Sequence, residues 1–284
     1  MTQTSADQLQ RFSFDDVAIR GEVAHLNQAY QDVLSRHQYP QPIAVAVGKL
    51  MAATAMLSAN LKFKGRLTLQ IRLPGNISLI QAETDEQGQL RAIARYDENQ
   101  PSEELSFEDG QMVITIEPDQ GQRYQGITLI EGGDVAAALE EYFVQSEQLA
   151  SRFWLMCDGQ QAAGFMLQQL PSKRTDDDID AWDRVSHLAA TIKQQELLEL
   201  ANEELLHRLY HEENVRVYPA SSLSFHCTCS RDRLANALHQ VGKTAISEMI
   251  EESGHIDVNC EFCQQHYRFD ETDMSELFPE NNLH

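Results

Sequence analysis

Four of the five cysteines fall into two close pairs, Cys227-Thr228-Cys229 and Cys260-Glu261-Phe262-Cys263, with 30 residues between them. Two short cysteine pairs separated by an insert of helical size is the spacing of a zinc site, each pair giving two ligands from one turn. Thiolate is a soft, strong donor, and four of them close a tetrahedral coordination sphere. Cys227, Cys229, Cys260 and Cys263 are therefore the expected ligands of one zinc ion. The first pair is Cys-x-Cys rather than the Cys-x-x-Cys of zinc ribbons. His226 and His266 lie beside the pairs, but four cysteines already fill the sphere, and a histidine there is more often a surface or supporting residue.

Four thiolates around one divalent ion carry a net charge of about −2. The metal keeps the sulfurs deprotonated, and thiolate is the form that oxidants attack. Oxidation would pair neighbouring sulfurs and release the metal, together with its share of the folding free energy, on the order of 10 kcal/mol for structural zinc. The residues thus permit a redox switch and equally a permanent structural clip. The fifth cysteine, Cys157, stands in Phe153-Trp154-Leu155-Met156-Cys157 and reads as a small apolar strand residue.

The elements that must position these cysteines differ along the chain. Residues 1–172 read as an α+β domain of mostly antiparallel sheet with packed helices. Helical patterns run over Val23–Ser35 and from Ile43 to about Phe63, separated by Tyr39-Pro40-Gln41-Pro42. Arg66–Leu73 alternates polar and apolar residues as a half-buried strand does. Further strands are expected near 77–83, 89–95, 111–117, 123–130, 151–157 and 163–170, with a helix over Val135–Gln148 behind Asp134 as its N-cap. Consecutive strands with short connections favour antiparallel pairing.

The composition changes at Pro171-Ser172-Lys173-Arg174, and residues 173–220 read as a helical linker. Ala181–Leu200 and Asn202–Glu213 are charged helices whose apolar stripes, such as Trp182, Val185, Leu188 and Leu205, Leu206, Leu209, need a partner surface. Helices of this length draw most of their stability from packing, so their docking is expected to be reversible. Residues 221–284 form a third unit with few large apolar side chains, of the kind that needs a metal to fold.

The chain carries 22 basic and 44 acidic residues, a formal charge of −22. Residues 222–284 alone hold four basic and eleven acidic residues, net −7. Such a field opposes phosphate backbones, which argues against the alternative of a zinc-ribbon nucleic-acid-binding regulator. A hydrolytic zinc would keep one position open for water, and no nucleophile–base pair or phosphate loop stands out, so an enzyme is not expected. The opening residues lack a basic stretch followed by an apolar run, so no secretory leader is expected. Ile43–Leu61 contains Lys49 and several small or polar residues and reads as a buried helix rather than a membrane span. The expected location is the cytoplasm, where cysteines rest reduced.

The chain resembles the heat-shock 33-kilodalton chaperonin family. The resemblance runs over nearly the whole length, through Asp7-Gln8-Leu9, Arg20-Gly21-Glu22, Tyr39-Pro40-Gln41-Pro42, Gln122-Arg123-Tyr124-Gln125-Gly126, Ser146-Glu147-Gln148-Leu149, Arg208-Leu209-Tyr210-His211-Glu212-Glu213 and Cys227-Thr228-Cys229-Ser230-Arg231. It implies a redox-regulated holdase that binds unfolding proteins without ATP. Zinc on Cys227, Cys229, Cys260 and Cys263 marks the resting form. Disulfides Cys227–Cys229 and Cys260–Cys263, with zinc release, mark the active form, which in this family is often a homodimer. The resemblance also implies that the zinc domain and the middle segment unfold on activation.

Overall fold

The computed structural model describes residues 7–59, 64–99, 105–130, 135–171, 180–273 and 278. The chain opens with strands β1 (Gln8–Phe14) and β2 (Ile19–Leu26), then helices α1 (Gln28–Leu34) and α2 (Gln41–Ser58). Five strands follow: β3 (Gly65–Arg72), β4 (Ile77–Asp85), β5 (Gln89–Tyr96), β6 (Gln111–Pro118) and β7 (Tyr124–Leu129). Helix α3 (Val135–Tyr142) runs into a π-helical turn, Phe143–Glu147, before strands β8 (Ser151–Cys157) and β9 (Ala162–Gln169). Three short helices come next, α4 (Ala181–Ala189), α5 (Gln194–Glu199) and α6 (Asn202–Tyr210), and then β10 (Val215–Val217), β11 (Ser221–Ser222) and β12 (Ser224–Phe225). The chain closes with α7 (Arg231–Val241), α8 (Lys243–Ser253), β13 (Ile256–Asn259) and β14 (His266–Phe269).

This is the expected α+β class. Packing divides the chain into units Met1–His226 and Cys227–His284. The third segment was expected from 221, and Ser221–Phe225 is held in the first unit's sheets, through β11 on β1 and β12 on β5.

The first unit has two sheets. One runs β10-β1-β2-β9-β8 with β11 also on β1; the other runs β12-β5-β4-β3-β6-β7. Every pairing is antiparallel except β12 with β5. Helix α2 packs on both sheets and is apolar on nearly all sides, the pattern of a helix enclosed by protein. It is long and apolar enough to cross a membrane by composition, yet 72% of that stretch is buried among Leu26, Leu69, Ile80, Met112 and Met166. The contact is close: a side chain added at Gly48 would meet the Cys157 sulfur at 2.7 Å, and one at Gly164 would meet Met56 at 2.5 Å. Cys157 is thus a buried core residue, as its strand position suggests.

The sheets differ in what covers their second faces. The β3–β6 sheet turns Leu67, Leu69 and Ile71 inward and polar groups such as the Arg91–Glu83 ion pair (2.6 Å) outward. The β1-β2-β9-β8 sheet is covered twice. Ala24, Leu26 and Met166 face α2, while Phe12, Phe14, Val23, Phe165 and Leu167 face a second core with Val185, Leu197, Leu205, Leu206 and Tyr210 from α4–α6. Residues Ala162–Gln168 of β9 are consequently all buried.

Several expected elements differ from those observed. The helix expected over Val23–Ser35 is strand as far as Leu26 and helix only from Gln28. Burial on both faces removes the polar alternation that marks a strand. The carboxylate of Asp7 accepts the N–H groups of Asn27 (2.6 Å), Gln28 (3.0 Å) and Ala29 (3.1 Å), so α1 starts where β1 delivers its cap. The helix expected over Ala181–Leu200 is broken between α4 and α5. Glu196 reaches back to the N–H of Lys193 (2.9 Å), a capping box that starts α5 afresh. Residues 60–63 of the expected second helix and the Asp134 cap lie outside the described residues.

Candidate metal centre

The unit Cys227–His284 has a small core. Ile246, Ile250, Ile256 and Phe269 are its buried apolar side chains among the described residues. Ser230 starts α7 by accepting the N–H of Arg233 (3.2 Å), which leaves the Cys227–Cys229 segment extended just ahead of the helix. Arg233 returns to the Thr228 carbonyl (3.0 Å) and fixes that segment. Strands β13 and β14 form a hairpin with Cys260 and Cys263 in its turn. The Cys260 N–H bonds the Gln265 carbonyl (2.9 Å) and the Gln264 N–H bonds the Cys260 carbonyl (2.8 Å). Gln264 takes the left-handed backbone (φ 59°) that lets the turn close.

These two segments bring all four sulfurs together. Cys227, Cys229, Cys260 and Cys263 have Sγ atoms within 4.8 Å of one another, and none is in a disulfide. Two of the distances are 3.7 Å (Cys227–Cys260) and 3.4 Å (Cys229–Cys263). A tetrahedral zinc with Zn–S bonds of about 2.3 Å would set its sulfurs about 3.8 Å apart, so the donor set fits. Backbone N–H groups aim at the sulfurs: those of Phe262 and Cys263 bond Cys260, and that of Gln265 bonds Cys263. Burial, and then sulfur crowded on sulfur, push the Cys260 and Cys263 thiols above their usual range. A full set of thiolates here therefore calls for a cation at its centre.

The histidines beside the pairs stand away from the cluster. Neither joins the four cysteines, which form the metal-sized donor group found among the described residues. His266 pairs with Asp257 (2.9 Å), and His226 is exposed with its backbone N–H on Leu90 (2.9 Å). One neighbour was not singled out from sequence. The Tyr267 hydroxyl lies 3.3 Å from the Cys229 sulfur, and that hydrogen bond is the chief cause that pushes the phenol up to about 12. Its position on β14, four residues past Cys263, is the only local signal it leaves.

Comparison with known proteins bears on the whole chain. The model of the Hsp33 protein family matches residues 7–270. The 33 kDa chaperonins of Pseudomonas savastanoi pv. phaseolicola and Pseudomonas syringae pv. tomato are 44% and 45% identical over 280 residues, covering 96% of this chain and 93% of each relative. That of Pseudomonas aeruginosa PAO1 is 43% identical over 281 residues. The crystal structure of the 33 kDa chaperonin of Thermotoga maritima superposes with a TM-score of 0.79 at 21% identity, covering 95% of this chain and 97% of that one.

Proposed function

The chain belongs to the Hsp33 family of chaperonins, and from that premise we propose that it is a redox-regulated holdase of the cytoplasm. It binds unfolding proteins without ATP or catalytic turnover. Cys227, Cys229, Cys260 and Cys263 hold one zinc ion in the resting form. The single observation that carries this reading is the meeting of those four sulfurs within 4.8 Å in a unit whose apolar core is otherwise small. When bound, the zinc supplies the positive charge that keeps all four sulfurs as thiolates.

The switch is oxidation of these side chains. A thiolate attacks hydrogen peroxide, the O–O bond breaks, and a sulfenic acid forms with loss of hydroxide. A second thiolate attacks that sulfur, a disulfide forms and a second hydroxide leaves. Each pair thus gives up two electrons to one peroxide, and two protons taken up from the buffer turn the two hydroxides into water. The pairing proposed is Cys227–Cys229 and Cys260–Cys263. In the resting cluster, distance does not select it, since all four sulfurs are near neighbours. Selection comes as the unit loosens. Cys227 and Cys260 are 33 residues apart, whereas partners within a pair stay close. A loop about tenfold longer costs about 2 kcal/mol more to close.

The domain reading is that residues 1–172 are the core, 173–220 a metastable linker and 221–284 the redox-switch domain. Helices α4–α6 cover one face of the β1-β2-β9-β8 sheet with side chains that form no large core of their own. Loss of the zinc domain releases this segment and opens apolar surface to clients, with the oxidised chain acting as a homodimer. The charge of −22 keeps such a species soluble.

The test combines peroxide with mild heat and follows zinc, free thiols and aggregation of a denatured client together. One zinc and four thiols per chain should be lost as protection appears, and a dithiol reductant should reverse both. Zinc release with no gain in protection would sink the proposal, and peptide mapping of the disulfides checks the pairing.

A further inference from the structure

His25 is the penultimate residue of β2, on the face that α4–α6 cover, and it is 2% exposed. Its Nε2 lies 2.7 Å from the carbonyl oxygen of Leu197 in α5. A carbonyl only accepts, so Nε2 carries the proton and Nδ1 carries the lone pair. Nδ1 is buried and makes no hydrogen bond of ordinary length and angle among the described residues, and neither do the amide atoms of Asn202, the first residue of α6, whose side chain stands beside the ring. The groups that bear on the ring are the Leu197 carbonyl from α5 and the Asn202 side chain from α6. Across the sheet stand Gln8 of β1 and Ala163 of β9, neither of which titrates. Glu22, three residues earlier on β2, points to the opposite face, toward α2, by strand alternation. Among the described residues, no charged side chain stands against the imidazole to compensate a proton.

We propose that His25 is a proton-operated latch beneath the middle segment, so that mild acid undocks α4–α6 while the four cysteines stay reduced. The neutral ring fits the docked state, because its one N–H has an acceptor and its bare nitrogen asks for nothing charged. A proton on Nδ1 puts a positive charge into a closed site without a carboxylate. Release of α5 and α6 removes the Leu197 and Asn202 roof and lets water reach the ring. Burial holds the docked His25 below the usual imidazole range, with Leu197 and Asn202 offsetting part of the effect. The sign follows: docking is at full strength above about pH 6.5, the free-imidazole value, and weakens as pH falls below it. The loss is up to about tenfold in the docking equilibrium per pH unit, until the docked His25 itself takes a proton. This latch rests on the proposal that the middle segment undocks, and it acts on that segment from the sheet side.

Hydrogen exchange tests it on the full reduced, zinc-loaded chain, with intrinsic rates divided out and zinc measured at each pH. From pH 7.5 to 5.5 the protection factors of α4–α6 should fall about tenfold, while those of β3–β6 hold. His25→Gln keeps an N–H for the Leu197 carbonyl and cannot be protonated, so its fall should be less than twofold. Asn202→Asp places a carboxylate beside the ring and should also blunt the fall; it decides alone if His25→Gln is not folded at pH 7.5. An undiminished fall in the deciding variant, or no fall in the parent chain, overturns the latch. Peroxide at pH 7.5 on the parent chain separates the two ideas: release of α4–α6 by peroxide in a parent chain that shows no acid response refutes the latch and leaves the redox switch standing.

Discussion

Leu205→Ala isolates the docking of the middle segment. Leu205 is fully buried in the second core, with Phe12, Phe165 and Tyr210 among its members, and it lies in the unit that lacks the four cysteines. Truncating a buried leucine costs about 2–5 kcal/mol in lost transfer energy and cavity. Taking about 3 kcal/mol, the docking equilibrium shifts by roughly a hundredfold, since 1.4 kcal/mol is a factor of ten. The chain reports on this core by itself, because Trp154 and Trp182 are its two tryptophans and both pack there. The assay is tryptophan emission against temperature or urea, beside far-ultraviolet circular dichroism for the sheets, in reductant with zinc retained. The substituted chain should show a red-shifted emission transition well below the loss of sheet signal, and should protect a client without oxidant. If emission and sheet signal shift together and protection still needs oxidant, α4–α6 are an integral part of the core and the reasoning fails.

Two further predictions concern the metal centre and a buried carboxyl. Cys260→Ser should lose zinc outright and unfold the Cys227–His284 unit, whereas Tyr267→Phe, which removes the hydroxyl on Cys229, should weaken zinc by about 10–100-fold and leave the unit folded; competition with a chelator ranks the two, and equal retention in parent and Tyr267→Phe would dismiss the phenol's role. Glu22 is buried and desolvation raises its carboxyl to about 7, so its contribution favours folding below about pH 4.5 and is lost as pH rises to 7. Glu22→Gln should therefore gain on the order of 3 kcal/mol over the parent at pH 8, with the advantage narrowing toward pH 5; a gap that does not vary with pH would refute this.

The sequence displays most clearly what is local and one-sided. The cysteine pairs are fixed by spacing, and the structure brings those same four side chains together. In β3 the sequence alternates polar and apolar residues, because the second face of its sheet carries polar groups. The β1-β2-β9-β8 sheet was harder. Val23-Ala24-His25-Leu26 carries side chains needed on two cores at once, and in sequence that resembles a helical stripe. The break at Thr191-Ile192-Lys193 was written in Lys193 and Glu196 as a capping box, but the apolar period ran through it. His25 and Asn202 had no local signature and Tyr267 only its place just past Cys263, because each acquires its neighbour from a segment distant in the chain.

The doubly covered sheet also sets a limit on how this chain can be improved. Phe12, Val23, Phe165 and Leu167 serve as interior while α4–α6 are seated and, on the proposed mechanism, would become surface once those helices leave. An engineer who fills gaps in that layer or tightens its ion pairs gains heat resistance by deepening the closed state alone. Such variants should survive higher temperatures and answer stress later. Gains made under α2, which packs on both sheets, should carry no such penalty on the proposed mechanism, which opens only the α4–α6 face. The map of safe and costly stabilising substitutions therefore follows the two faces of a single strand, alternating residue by residue along β9.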